Sequence, residues 1–170
     1  FMPVGTLGPV KGLDPEDLEQ LGFRLMLNNA YHLYLRPGHK VVAEMGGLHR
    51  FTGWKGGILT DSGGFQIFSL AKLCNGTDAG VSFQSHIDGS AHFISPEVAM
   101  EIQEALGADI IMAFDQCVAL PADRIGVEEA VEDGRRVRPR GPFAARGGRR
   151  RDRPLGRRAE LDQGVAVLPS

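Results

Sequence analysis

A run of small and polar residues, TDSGGFQ at positions 60–66, groups the side chains best suited to chemistry in this sequence. Asp61 supplies a carboxylate where an apolar stretch stops, and Ser62 adds a hydroxyl. The two glycines that follow let a flat ligand or an anion approach the backbone closely, because they carry no side chain. The ring of Phe65 can stack on such a ligand, and the amide of Gln66 can read its polar edges. The run suits a site for a base or a phosphate.

The same run also has a purely structural interpretation, as a turn in which Asp61 caps the next helix. A second acid, Asp115, has the same two interpretations, because an aspartate after an apolar strand often caps a loop. The pair is more informative than either residue alone. Two carboxylates at one edge of a sheet can divide between recognition of a ligand and acid or base work.

The elements that must position these residues are visible in the caps and apolar runs. Asp14 and Ser95 each stand before a proline and predict the start of a helix, and Gly22 and Gly107 predict the two ends. A further helix is predicted over residues 37–45, and apolar strands are predicted over residues 24–27, 57–60 and 109–114.

Residues 81–87 alternate between apolar and polar types, as a strand does. Residues 91–94, after the dipeptide Asp88-Gly89, are the predicted second strand that pairs with the first. This dipeptide is favoured in two-residue hairpin turns. The pattern predicts a β-hairpin inserted between the strands and helices of the main unit.

Apolar strands that alternate with capped helices indicate an α/β fold with a parallel sheet, either doubly wound or a (β/α)₈ barrel. No GxGxxG run follows a strand, whereas two predicted strand ends carry Asp61 and Asp115. Because the chemistry of barrels collects at the carboxyl ends of the strands, we favour the barrel. A closed barrel takes at least ~200 residues. Only residues 1–132 show the pattern of a folded unit, so we expect an incomplete (β/α)₈ TIM-type barrel.

Several classes of protein are disfavoured by composition. Cys74 and Cys117 show neither CxxC nor Cys/His spacing, so we predict no disulfide framework and no metal site. No run approaches the roughly 18 apolar residues of a membrane span, and no leader pattern is visible. We expect a soluble cytoplasmic protein without a membrane partner. The sequence opens on Phe1 rather than methionine, and we expect a fragment.

Several longer segments of the sequence are informative when taken together. They are FMPVGT (1–6), NAYHLYLRPG (29–38), GGLH (46–49), LTDSGGFQIF (59–68), SHIDGS (85–90), SPE (95–97) and MAFD (112–115). In order and spacing they resemble the tRNA-guanine transglycosylase family, the queuine tRNA-ribosyltransferases. The resemblance covers residues 1 to about 132, as the amino-terminal part of such a protein.

The resemblance implies a pentosyltransferase of the queuosine pathway. Such an enzyme exchanges guanine at the wobble position of tRNAs with a GU anticodon start for a 7-deazaguanine base. Its partners are the tRNA anticodon loop, guanine, and either 7-aminomethyl-7-deazaguanine in bacterial members or queuine in eukaryotic ones. Retaining exchange at a sugar carbon is naturally run through a carboxylate nucleophile.

The resemblance also implies roles for single residues. Asp61 becomes the catalytic acid or base near the scissile bond, and Asp115 the reader of the guanine face. Asn29 approaches the ribose. The wall of the base site and its stacking partner are Ser62, Gly63, Gly64 and Phe65.

Other family features have no counterpart here, namely the aspartate nucleophile, a base-reading segment rich in glutamine and glycine, and a zinc site of three cysteines and a histidine. We therefore expect no cofactor in this chain and an incomplete, inactive enzyme. Full-length members are expected to form dimers, with a second copy or with a paralogue.

Residues 133–170 form a tail of different composition. They carry 11 arginines against 4 acids, whereas residues 1–132 carry 8 basic and 17 acidic residues. Such an Arg-, Gly- and Pro-rich segment is predicted to be disordered. The tail has two alternative interpretations. It is a module that binds RNA phosphates nonspecifically, or it is the product of a reading-frame slip in a GC-rich gene. We favour the slip, because the composition changes where the resemblance ends.

Three classes of function follow. The chain is part of a catalytic transglycosylase, a nonenzymatic tRNA-binding remnant, or an unrelated half-barrel that binds a phosphate. The intact Asp61 run and Asp115 favour the first.

Overall fold

Short strands and helices alternate along the chain. The computed structural model describes residues 1–77, 79–115, 117–118, 121, 123–136 and 165–167. In chain order the elements are β1 (Val4–Gly5), α1 (Pro15–Gln20), β2 (Leu25–Asn28), α2 (Ala30–Leu35), α3 (His39–Glu44), α4 (Leu48–Thr52), β3 (Gly57–Thr60), α5 (Gly64–Leu70), β4 (Lys72–Thr77), β5 (Gly80–Gln84), β6 (Ala91–Ile94), α6 (Pro96–Leu106), β7 (Ile110–Met112), α7 (Arg124–Arg136) and β8 (Val165–Val167).

The larger sheet has the strand order β1-β2-β3-β7-β8. β1, β2, β3 and β7 are parallel neighbours, whereas β8 runs antiparallel to β7. β2 and β3 pair over their full length, from Leu25 opposite Gly57 to Asn28 opposite Thr60. The parallel strands follow chain order without a reversal. The predicted α/β class with a parallel sheet is confirmed.

One face of this sheet is buried beneath the helices. Side chains alternate along a strand, and Met26, Ile58 and Ile111 are buried on the same face. The fully buried helix residues that join them in the core are Leu33, Val42, Leu48 and Leu106. Each such side chain contributes about 1.5–3 kcal/mol on burial. Packing therefore holds helices of five or six residues that would be marginal alone.

The opposite face of the sheet is covered less completely. Its side chains Leu25, Leu27, Leu59 and Ile110 are half-buried. Parallel sheets are ordinarily covered on both faces. This face has the apolar composition of an interior surface, but the residues that the structure describes cover only part of it.

The predicted helix caps are confirmed. The Asp14 carboxylate accepts a hydrogen bond from the Asp17 amide at 2.8 Å, and the Asp17 carboxylate accepts one from the Asp14 amide at 3.3 Å. The Ser95 hydroxyl accepts a bond from the Val98 amide at 3.3 Å. Gly107 ends α6 in the left-handed conformation, with φ of 67°. Local sequence is sufficient to place α1 and α6.

The inserted hairpin is present, but it is part of a three-stranded antiparallel sheet in the order β4-β5-β6. The predicted two-residue turn at Asp88-Gly89 is wrong, because the ladder ends where Gln84 faces Ala91 and residues 85–90 form the connection. The reason is that loop side chains bind the loop's own backbone. The Asp88 carboxylate accepts bonds from the amide and the hydroxyl of Ser90. These bonds lower the pKa of Asp88 to about 2.

The tail differs from its prediction where the structure describes it. The last turn of α7 reaches Arg136, and β8 pairs with β7 so that Val167 faces Ile110. These two pieces have regular structure, and the rest of the tail predicted to be disordered lies outside the described residues. Within the described ranges, no helix combines the length and the apolar composition that a membrane span requires.

A polar clamp joins the amino ends of β3 and β7. The Asp109 carboxylate accepts bonds from the Ile58 amide at 2.8 Å and from Nε2 of His49 at 2.9 Å. Nδ1 of His49 lies 3.1 Å from the carbonyl oxygen of Trp54. A carbonyl and an ionised carboxylate only accept hydrogen bonds, so both ring nitrogens of His49 face acceptors. His49 lies in α4, so the clamp also ties this helix to the sheet.

We predict that His49→Ala lowers the free energy of unfolding by about 2 kcal/mol, because hydrogen bonds to charged groups contribute about 1.5–3 kcal/mol. Urea unfolding followed by circular dichroism measures the change. Arg50→Ala is the matched control, since Arg50 is the next residue of α4 and is exposed. Equal unfolding midpoints for the two variants would contradict the role of the clamp.

Candidate functional site

Asp61 and Asp115 lie at one edge of the parallel sheet. Asp61 directly follows β3, and Asp115 follows the end of β7 by three residues. β3 and β7 are parallel neighbours, with Thr60 opposite Ile111. The prediction that the two strand ends meet is therefore confirmed by the geometry.

The carboxylate of Asp61 accepts three hydrogen bonds. Nδ2 of Asn29 donates at 2.6 Å, the amide of Ala30 at 2.8 Å and Nε2 of Gln66 at 2.8 Å. Asn29, which was predicted to approach a ribose, is thus placed beside Asp61. The amide nitrogen of Gln66, interpreted from the sequence as a reader of ligand edges, is directed at the same carboxylate.

These contacts also make Asp61 a helix cap. Ala30 is the first residue of α2, and the side chain of its N-cap Asn29 makes no capping bond. Asp61, which follows β3, supplies that bond. The alternative in which Asp61 caps the next helix is wrong, because the first amide of α5, that of Gly64, bonds to the Ser62 hydroxyl and not to Asp61.

Ser62 connects the turn to the second aspartate. Its hydroxyl donates to Oδ1 of Asp115 and accepts a bond from the Gly64 amide at 3.2 Å. The hydroxyl of Ser62 thus fixes one carboxylate oxygen of Asp115, although the Asp115 residue itself is exposed. The second oxygen, Oδ2, lies 4.0 Å from Sγ of Cys117.

The two glycines of the turn are required for different reasons. Gly63 has φ of 78°, a left-handed conformation that favours glycine. At Gly64, a Cβ atom would lie 2.4 Å from the carbonyl oxygen of Asp115. The absence of a side chain at Gly64 therefore allows the Asp115 segment to approach the turn.

Phe65 begins the exposed side of α5, and 65% of its surface is exposed. Phe65 directly follows Gly64, the second glycine of the turn, in the chain. An exposed aromatic ring gains from being covered by a flat ligand. The stacking role predicted for Phe65 stays a prediction.

The rings of Tyr31, His32 and His86 form a cluster, and His32 interacts electrostatically with Asp61. The hydroxyl of Tyr31 lies 2.8 Å from Nδ1 of His86, and the rings of His32 and His86 meet edge to face at 5.7 Å. Burial lowers the pKa of His32, the charge of His86 lowers it further, and the charge of Asp61 raises it. The neutral form of His32 is therefore favoured relative to that of a free imidazole.

The thiols of Cys74 and Cys117 both have raised pKa values. Burial raises the pKa of the Cys117 thiol, and the Asp115 charge raises it further. Burial also raises the pKa of the Cys74 thiol. Among the described residues, no group of three or more His, Cys, Asp and Glu side chains is arranged to hold a metal ion.

Gln103 is a site residue that the sequence pattern did not reveal. It lies on the buried face of α6, and its side-chain amide donates to the carbonyl oxygen of Asp61 at 2.6 Å. A polar residue between the apolar Ile102 and Leu106 is the signal that could have identified it.

Comparison with known proteins supports the resemblance. A model of the queuine tRNA-ribosyltransferase family matches residues 1–140. A queuine tRNA-ribosyltransferase of Symbiobacterium thermophilum is 61% identical over 132 residues, which are 78% of this chain and 33% of the relative. Proteins of the same name from Thermoanaerobacter sp. and Desulforamulus reducens are each 58% identical over 132 residues, again 78% of this chain, and 35% and 36% of those relatives. The chain spans about a third of the length of these curated relatives.

We predict that Gly64→Ala destabilises the fold by about 1–3 kcal/mol, the usual cost of overpacking. Alanine would favour helix α5 by up to about 1 kcal/mol, but its Cβ would meet a backbone oxygen that cannot turn aside. Gly76→Ala is the control, since a Cβ there meets nothing within 4 Å. Urea unfolding of both variants measures the change in stability. An unchanged unfolding midpoint for Gly64→Ala would show that the Asp115 segment can move away from the added Cβ without cost.

We predict that the pKa of His32 lies below its usual value and that Asp61→Asn lowers it further, because the substitution removes a negative charge that raises it. A folded-state pKa below the unfolded value means that the folded chain binds fewer protons. The stability contributed by the neutral ring is complete above about pH 6.5 and falls as the pH drops toward the folded pKa. An NMR titration of the ring measures the shift, with Asp115→Asn as control, and a raised pKa in Asp61→Asn would contradict it.

Proposed function

The chain belongs to the queuine tRNA-ribosyltransferase family, and from this we propose that its site serves the exchange of guanine in tRNA for a 7-deazaguanine base. The curated relatives are about three times as long. We propose the complete reaction for these residues together with the further segments that the relatives have. The proposed partner is a tRNA anticodon loop, where a base leaves its stack more easily than in a duplex.

We propose that residues 1–132 form the amino-terminal part of a (β/α)₈ barrel. The parallel strands keep chain order, and α2, α3 and α6 contact one another as one layer. Right-handed crossovers without a reversal place the helices on one face, whereas a doubly wound sheet reverses and has helices on both. The half-buried apolar face fits a barrel interior. β8 belongs to the tail at 133–170, is antiparallel and lies outside the proposed barrel.

Asp115 is the proposed reader of the base, and the contact between Asp115 and Ser62 is the observation that carries the proposal. The Ser62 hydroxyl fixes Oδ1 of Asp115 beside the glycine turn. An ionised carboxylate only accepts hydrogen bonds, so it suits the adjacent N–H donors of a guanine-like edge. The exposed Phe65 ring and the turn at Gly63 and Gly64 supply the surface on which that base lies.

Asp61 is the proposed acid or base. An ionised carboxylate offers about four acceptor positions, and three are taken by Asn29, Ala30 and Gln66. One position is left to accept a proton or an N–H group from the reacting base. The fixed donors hold the carboxylate in one orientation, which general acid or base catalysis requires. Asn29, which donates to the same carboxylate, is the proposed contact of the ribose.

The nucleophile is proposed to lie outside this chain. Displacement at the sugar carbon with retention needs a carboxylate that forms a covalent sugar intermediate and is then displaced by the incoming base. Asp61 and Asp115 are both committed to other contacts. The resemblance implies a further aspartate for this step.

The family zinc site implied by the resemblance does not fit the residues of this chain. Three thiolates and an imidazole are needed, whereas the sequence contains two cysteines. We propose that neither Cys74 nor Cys117 holds a metal, and no step of the reaction is derived through zinc.

The phosphate-binding alternative is disfavoured by charge. The carboxylates of Asp61 and Asp115 flank the glycine turn, and two negative groups beside a turn repel an anion. A nonenzymatic tRNA-binding role is also disfavoured. It would explain the three donors to the Asp61 carboxylate only as a cap of α2.

We predict that a hybrid in which residues 1–132 replace the aligned segment of the Symbiobacterium relative incorporates labelled guanine into tRNA, whereas the 170-residue chain alone does not. In the hybrid, Asp61→Asn should reduce turnover by ~10²–10⁴-fold. Asp115→Asn should chiefly weaken or alter the choice of base, because one acceptor oxygen becomes a donor.

Asp88→Asn is the control, since Asp88 is an exposed loop acid outside the proposed site. An inactive hybrid beside an active parent relative would refute the proposal. Exchange by the 170-residue chain at the rate of the hybrid would instead make Asp61 the candidate nucleophile.

A further inference from the structure

Gln103 is a polar side chain buried in the apolar layer between α6 and the sheet. Only 2% of its surface is exposed, and its neighbours Ile102 and Leu106 in α6 are core residues. Burial of an amide is costly unless its hydrogen bonds are made. The hydrogen bonds of Gln103 must therefore explain why a polar side chain is tolerated at this buried position.

All the polar atoms of the Gln103 side chain are engaged. Oε1 accepts a bond from the buried hydroxyl of Thr60. Nε2 donates to the carbonyl oxygen of Asp61 at 2.6 Å and to that of Met112 at 3.4 Å. One side chain thus connects the end of β3 with the end of β7.

The chemistry of these three partners selects an amide. The carbonyl groups of Asp61 and Met112 can only accept, so they require an NH₂ group with two hydrogens. Thr60 supplies the only hydroxyl in this set, and it fixes the orientation of the amide by donating to the oxygen. An ionised carboxylate at position 103 would face two acceptors, and an apolar side chain would leave them without this donor.

The place of this amide in the sheet gives it a role. The last pair between β3 and β7 is Thr60 opposite Ile111, so Asp61 and Met112 would form the next pair if the ladder continued. The amide of Gln103 bonds to both of these residues instead. Its bonds replace this missing pair at the point where the segments after β3 and β7 separate toward the site.

We propose that Gln103 is a positioning residue that sets the separation of the Asp61 and Asp115 carboxylates, an inference that rests on the proposed function for the roles of the two aspartates. It holds the main chain of Asp61 directly. It holds Asp115 through Met112, three residues earlier in the chain. Misplacement of reacting groups by about 1 Å can cost ~10²-fold in rate. A side chain that fixes both segments therefore affects the chemistry without touching a substrate.

The first test uses the 170-residue chain labelled with ¹³C at aspartate side chains. Gln103→Met keeps the length and the unbranched shape of the side chain and removes its donors. We expect the carboxyl resonances of both Asp61 and Asp115 to move. Leu106→Met is the matched control, because it places the same side chain one turn further along the buried face of α6, and it should move neither resonance.

The hydroxyl of Thr60 provides a second variant. Thr60→Val keeps the shape and removes the donor that orients the amide, so it should move both resonances in the same direction as Gln103→Met. Thr60→Ser keeps the hydroxyl and should restore the wild-type positions. If Gln103→Met does not fold, this pair decides. Unmoved Asp61 and Asp115 resonances in folded Gln103→Met or Thr60→Val would overturn the proposal.

The second test uses the hybrid enzyme. Gln103→Met should lower kcat by ~10²-fold and leave the KM for tRNA unchanged, because the contacts with tRNA remain while the carboxylates are displaced. An unchanged kcat in an active hybrid would overturn the positioning role. If the unaltered hybrid is inactive, the proposed function fails, while the movement of both aspartate resonances still supports the positioning by Gln103.

Discussion

The carboxylate of Asp61 is the contact on which the form of the site depends. By accepting bonds from Asn29, Ala30 and Gln66, it joins the end of β3 to the first turns of α2 and α5. α2 has six residues, too few to be stable without outside contacts. The group proposed to manage protons is therefore also a structural cap. Its orientation is fixed by the fold before any ligand is present.

Both ends of the β3 and β7 pair are closed by polar side chains. Where a ladder ends, backbone groups lose their strand partners and need others. At the amino end, Asp109 accepts from the Ile58 amide and from His49. At the carboxyl end, Gln103 donates to the carbonyl of Asp61. The apolar core lies between these two closures, and the candidate site is built on the second.

Features that depend on neighbouring residues are visible in the sequence, and features that depend on distant ones are not. The caps at Asp14 and Ser95 and the bounds of β3 follow from local signals. α2 has no such signal, because the group that caps Ala30 is Asp61, 31 positions away. The meeting of the two aspartates is predictable, since parallel strand ends share an edge. The contacts of Gln103 are not, because a polar residue on an apolar helix face indicates a buried hydrogen bond without indicating its partners.

The two carboxylates share one edge of the sheet but have different surroundings. Asp61 is half-buried and enclosed by donors from two helices, whereas Asp115 is exposed and held through one oxygen by Ser62. A group that transfers protons benefits from a fixed orientation, and a group that reads a ligand needs an accessible acceptor. The proposed division of labour rests on this difference: the first amide of α2 bonds to Asp61, and the missing side chain of Gly64 leaves room for the Asp115 segment.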